Sequence, residues 1–337
     1  MNLDHGGHSF FAPLDTEKEI RRKGEFLCDL SHLKFMTAHG PDAVSFLNGQ
    51  LTNDIEKVSN TVSQLSGYCT PKGRLLCIFR IHRNDERLVL QANKNVLPNT
   101  VERLQRFVLR AKLELKFEDS ISSFGIVGRE SSKVLAAVAG GLPEDREGCL
   151  AVPGLTLVCH STASTPRYQV VGPPSALIDL WRQLSTNIPN TGSWAWTSLD
   201  IEQGLPAILT QTSEQFVPQN VNMDLINAVS FHKGCYPGQE IVARMHYLGK
   251  LKTRMIRAEV DGGASPKPGD KLYTSASEQS IGMLVDSAPA NHGYHILTTV
   301  RLDQLDSGDL RIHGSSGQLV VPKVLPYLLE SPDQKQA

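Results

Sequence analysis

From Arg254 onward the chain breaks into short apolar runs separated by glycine, proline and asparagine, and this punctuation constrains the fold more than any other feature. Arg254–Val260, Gly282–Val285, Tyr294–Val300 and Gln318–Val321 read as strands. Asp261-Gly262-Gly263, the stretch from Pro266 to Gly269, and Asn291 to Gly293 separate them. Short strands with tight turns and little helical periodicity predict a small antiparallel β-barrel. The change in character sets a domain boundary near 248–252.

Upstream the pattern is mixed. The first ~25 residues read as a polar, glycine-containing arm. Pro41 suits a first helical position, Phe46 and Leu47 supply an apolar side, and Gly49 suits a stop. Arg74–His82 and Arg87–Ala92 read as a hairpin around Asn84-Asp85-Glu86. Asn99-Thr100-Val101-Glu102 resembles a capping box, with Val101, Leu104, Val108 and Ala111 following at helical spacing. Val134–Val138 and Ala176–Leu184 read as helices, and Leu155–Cys159 and Tyr168–Val171 as strands. The class is therefore α+β. The expected organisation is an N-terminal α+β lobe at 25–118, a second α+β lobe at 119–190, a segment at 191–248 returning to the central lobes, and the barrel at 250–330. The last residues, SPDQKQA, read as frayed.

Length and charge narrow the function. A chain of 337 residues buries a core large enough to need no disulfide or metal staple. Lys plus Arg number 34 against 35 for Asp plus Glu, a net charge of −1, which argues against direct strong nucleic-acid binding. The N-terminus has no apolar signal-peptide core, and no apolar run reaches the ~20 residues of a membrane span, so a cytoplasmic protein is expected, without membrane attachment. Cys28, Cys69, Cys77, Cys149, Cys159 and Cys235 include no CxxC pair, which argues against a disulfide framework and a zinc site. No metal site is expected.

The most chemical segment runs from Phe231 to Arg244, FHKGCYPGQEIVAR. Two glycines and a proline around one cysteine specify a preset turn, and QEIVARMHYL reads as the start of a helix. Cys235 then sits just ahead of a helix N-terminus, where free N–H groups favour a thiolate, with Lys233 and Arg244 adding positive charge. The residues alone leave open a buried, inert cysteine, and spacing does not make a dyad with His232 or His246. Residues 241–258 hold Arg244, Lys250, Lys252, Arg254 and Arg257 and no acid. Such a run suits the carboxylate tail of a small ligand, RNA phosphate, an acidic protein, or simply a solvated face.

Lys233 to Glu240, K-G-C-Y-P-G-Q-E, is similar to the K-G-C-Y-x-G-Q-E signature of the YgfZ-type folate-binding proteins, relatives of the aminomethyltransferase (T-protein) of glycine cleavage. Phe46 to Asp54, Pro71-Lys72-Gly73-Arg74, Ile201 to Pro206 and Phe216-Val217-Pro218-Gln219 resemble further blocks of that family. The resemblance implies a three-lobed T-protein-like fold around a central folate opening. Tetrahydrofolate or a derivative is the implied cofactor. Trp196 stands where the family carries a folate-facing tryptophan, and Leu33 where some members carry a second. Cys235 is the candidate reactive thiol, within the motif residues Lys233, Gly234, Tyr236, Gly238, Gln239, Glu240 and Arg244.

The implied function is a folate-binding accessory protein for iron–sulfur enzymes, such as radical-type tRNA methylthiotransferases, and through them for tRNA modification. Cys235 would serve as a redox thiolate, a transient sulfur or cluster ligand, or a nucleophile toward a one-carbon unit. A cluster usually needs about four ligands, so one would require a partner. T-proteins place an acidic pair where Cys77 and Ile78 stand here, which disfavours classical aminomethyl transfer and leaves enzymatic turnover open. The alternatives are a folate-dependent one-carbon transferase or demethylase, and a non-catalytic folate-sensing module.

Overall fold

The computed structural model describes residues 2–4, 8–162, 165–248, 251–305 and 309–329. The chain divides into two compact units: Met1–Asn48, Asp54–Leu65 and Phe79–Trp196 form the first, and Gly49–Asn53, Ser66–Ile78 and Thr197–Ala337 the second. The division falls after Trp196. The boundary read near 248–252 lies inside the second unit, in part on residues 249–250, outside the described residues. The SPDQKQA tail also lies outside them.

Alternating side chains build two sheets in the first unit. One has six strands in the order Cys149–Val152, Leu155–Ser161, Arg167–Gly172, Ser122–Val127, Phe26–Asp29 and Asn190–Thr191. The last pairs in parallel, the others antiparallel. Leu135, Leu177, Leu180 and Leu184, from the helices Arg129–Ala139 and Pro174–Leu184, cluster with Leu27, Ile126, Leu157 and Val170 on one face. Each fully buried leucine contributes about 1.5–3 kcal/mol. On the other face Cys149, Val158 and Val171 pack with Phe35 and Val89. Those two belong to a second sheet of this unit, in which Arg87–Asn93 pairs antiparallel with Leu33–His39 and with Arg80–Asn84 of the strand Leu75–Asn84, and Leu33–His39 pairs in turn with Glu114–Phe117. The expected hairpin is here, closed by Asp85-Glu86 with Asp85 in the left-handed region at φ 53°.

Two expectations need correction. The N-terminal arm carries the strand His8–Phe10 and the helix Leu14–Lys23. Their anchor is Glu17, which is completely buried: its carboxylate accepts the backbone N–H groups of Phe11, Ala12 and Gly192 and the indole N–H of Trp194. A lone polar residue in a charged helix gave no sequence signal of this. The helix expected from Asn99 instead spans Leu97–Gln105 with Pro98 in its first turn, so Asn99 lies inside it and Val108 and Ala111 beyond it. Proline's preset φ suits that first turn.

In the second unit, Thr253–Val260, Tyr294–Arg301, Ser277–Pro289, Lys271–Thr274, Leu310–Ile312 and Gln318–Lys323 close in that order into an antiparallel barrel. Pairing of Val260 with Val320 shuts it. Ile256, Leu272, Leu284, Ile296 and Ile312 fill the interior. Closure leaves no free strand edge. Among the described residues no helix is long and apolar enough to cross a membrane.

Candidate functional site

The helix Gln239–Tyr247 begins where the sequence expects it, with Gly238 as its N-cap at φ 83°. A Cβ at Gly238 would lie 2.5 Å from the Thr70 carbonyl oxygen and 2.6 Å from the Gly73 Cα. Gly73, itself at φ 69°, meets the side chain of Ile241 in return. The Pro-Lys-Gly-Arg turn and the cysteine loop therefore interlock backbone to backbone, and each glycine serves both a positive φ and a close approach. The turn is tied by Gly73 N–H to Thr70 O at 2.9 Å, and by Thr70 N–H to Arg74 O at 2.8 Å.

The other motif blocks hold the same structure from behind. Gln219, fully buried, donates through its amide to the Val242 carbonyl at 2.7 Å. Thr52 donates its hydroxyl to Ala228 O at 2.8 Å and accepts Gly67 N–H at 2.7 Å. Lys233 reaches Leu51 O at 2.7 Å, with its ammonium 5.3 Å from the Tyr236 ring centre. Burial pushes the Tyr236 phenol far above its ordinary value, with Cys69 adding to the shift. Gly234 faces open space.

Cys235 is exposed, whereas the other five cysteines are buried. Burial pushes Cys149 and Cys159 up to about 11, Cys69 to about 12, and Cys28 higher still. A cavity of ≈ 400 Å³ beside the thiol is lined by Pro71, Tyr236, Gln239, Glu240 and Ala243 among others. On the same helix His246 stacks on Phe231, ring centres 3.7 Å apart, with exposed Tyr247 edge-on to both. Native protein is therefore expected to take one equivalent of iodoacetamide rapidly, at Cys235, and six after unfolding. Labelling of Cys149 or Cys159 at the same rate would refute the assignment of a single accessible thiol.

The basic run is not one face. Arg254 is buried and forks onto Asp224, at 2.7 and 3.0 Å, while donating to Gln219 O at 3.0 Å. Lys250 lies outside the described residues. Arg244 and Lys252 remain exposed.

Trp196 and Leu33 belong to the first unit. Trp196 is 1% exposed. Its ring meets the His160 ring edge-on with centres 4.9 Å apart, lies 4.9 Å from the Arg167 guanidinium carbon, and covers Gly125, where a Cβ would fall 2.4 Å from the indole. Leu33 is half-buried at the head of its strand. Cys77 is completely buried. Among the described residues no three of His, Cys, Asp and Glu gather to hold a metal ion.

The fold is T-protein-like. The glycine cleavage system aminomethyltransferase T from Bartonella henselae superposes with a TM-score of 0.73 at 16% identity, covering 96% of this chain and 95% of that one. By sequence the chain is similar to the YgfZ-type proteins. It is 28% identical over 306 residues to the tRNA-modifying protein YgfZ of Serratia proteamaculans, covering 90% of this chain and 92% of that protein. The same-named proteins of Yersinia enterocolitica and Colwellia psychrerythraea are 28% and 26% identical, covering 94% and 90% of this chain and 96% and 94% of their own lengths. No protein-family model matches the chain.

Proposed function

We propose that this chain is a cytoplasmic folate-binding accessory protein that supports iron–sulfur enzymes and, through them, tRNA modification. The observation that carries the reading is the exposed Cys235, held by interlocked glycine turns in a chain similar over nine-tenths of its length to tRNA-modifying proteins. A single exposed thiol suits a ligand or redox group completed by a partner enzyme. The T-protein-like fold supports a folate. The resemblance sets Trp196 beside the pterin, and the buried polar side chains around it, His160 and Gln169 among them, are of the kind a pterin's hydrogen-bonding groups need. The one-carbon transferase reading is disfavoured because the family's acidic pair is replaced by Cys77, which is sealed from solvent, and Ile78.

The test is a titration with tetrahydrofolate and with 5-formyl-tetrahydrofolate, read by tryptophan fluorescence and calorimetry. Saturable binding is expected, with quenching reduced in Trp196→Phe and retained in Cys235→Ala. Trp181 and Trp194 supply residual emission, so calorimetry decides. Absence of both heat and quenching would overturn the folate reading.

A further inference from the structure

Within the first unit a buried layer of polar side chains lies around Trp196. Arg80 and Gln91 stand opposite each other on paired strands of one sheet, and His160, Arg167 and Gln169 belong to the other. All five are buried.

Their hydrogen bonds have a direction. The Gln169 amide nitrogen donates to Gln91 Oε1 at 2.6 Å and to Ser123 Oγ at 2.9 Å. Gln169 Oε1 is therefore the acceptor facing His160 Nε2, 3.1 Å away. This fixes His160 as the Nε2–H tautomer, with a bare lone pair on Nδ1. Nδ1 has no hydrogen-bond partner, although His160 is only 5% exposed. In an imidazole that lone pair points away from the Nε2 partner, here Gln169. Burial, reinforced by Arg80 and Arg167, holds the ring neutral and so keeps the acceptor available. Native proteins leave few buried acceptors unmet, and those they keep have a reason. Arg80, Arg146 and Arg167 all act on His160, while Glu147 is the carboxylate paired with Arg80 and Arg146. The surroundings thus favour oxygen atoms carrying negative charge.

We propose that His160 Nδ1 accepts an N–H of a planar heterocycle seated beside Trp196, with the arginine side of the layer facing that ligand's carbonyl or carboxylate oxygens. A pterin carries ring N–H and amino donors next to a carbonyl, so the inference rests on the folate reading and deepens it. Because the layer is closed to solvent, seating the ring includes a local displacement of side chains.

The experiment labels the histidines with ¹⁵N and titrates wild-type protein with tetrahydrofolate. It follows the His160 Nδ1 resonance and, by calorimetry, the affinity of wild type and His160→Phe. The Nδ1 signal is expected to move as a bare acceptor gains a donor, and the variant is expected to bind at least about tenfold more weakly. Binding with an unmoved Nδ1 and an unchanged affinity in the variant overturns this inference and leaves the folate reading standing. No binding by wild type overturns the folate reading and this inference with it. The wild-type resonance remains decisive even where the variant folds poorly.

Discussion

Arg254→Met is expected to destabilise the second unit by roughly 3–5 kcal/mol, the cost typical of breaking a buried ion pair from one side. Its guanidinium and the Asp224 carboxylate are only 2% and 4% exposed as side chains and meet through two parallel hydrogen bonds. Removing the cation leaves a carboxylate that water cannot reach, and takes one of two donors from the Gln219 carbonyl, which keeps the Asn222 N–H. Pairing the change with Asp224→Leu should recover a large part of the loss, since replacing both charges removes the desolvation cost as well as the attraction. Urea denaturation of the two single variants and the double variant measures this. A single-variant loss below about 1 kcal/mol would show that the pair behaves like a surface bridge. Gln219 also bonds the carbonyl of Val242, so the Arg254 variant should loosen the cysteine helix and accelerate labelling of Cys69.

The second large effect concerns pH. Asp286, in the barrel strand Ser277–Pro289, has its carboxyl pushed up from 3.8 to about 7 by burial. The Ser287 backbone N–H partly opposes the shift and nearby Asp200 adds to it. In the unfolded chain Asp286 loses its proton near pH 4, whereas in the fold it keeps it until about pH 7. Between those values the folded state binds the extra proton, so this group's stabilising contribution is complete at low pH and lost as pH rises. The slope is about 1.4 kcal/mol per pH unit, on the order of 4 kcal/mol in all. Asp286→Asn keeps an oxygen for the Ser287 N–H and removes the titration. The variant should match wild type near pH 4 and exceed it in denaturation midpoint at pH 8. Parallel stability profiles over that range would sink the assignment.

Much of the architecture was legible because strand and helix periods are local. The hairpin around Asp85-Glu86, the helix after Gly238 and four of the barrel strands follow from side-chain alternation and turn residues. Lys271–Thr274 and Leu310–Ile312 were missed because a run of three or four residues has too few positions to display a period. The cysteine loop could be read because its glycines are unusual in sequence, but the reason for Gly238 could not, since its partner Gly73 lies far away along the chain. The polar layer of Gln91, His160, Arg167 and Gln169 was hidden for the opposite reason. Polar residues alternating along a strand usually mean a wet face, and here they are buried. Arg254 misled in the same way, because its neutralising Asp224 belongs to a segment thirty residues earlier.

The placement of the thiols also sets a limit on what oxidation can build. With five cysteines sealed inside and Cys235 alone at the surface, each molecule offers a valence of one. Two copies, or one copy and a partner, can be joined by a disulfide, and the linkage then terminates. A chain with two accessible thiols would polymerise in an oxidising burst. This one yields a discrete adduct that a small reductant returns to two intact proteins.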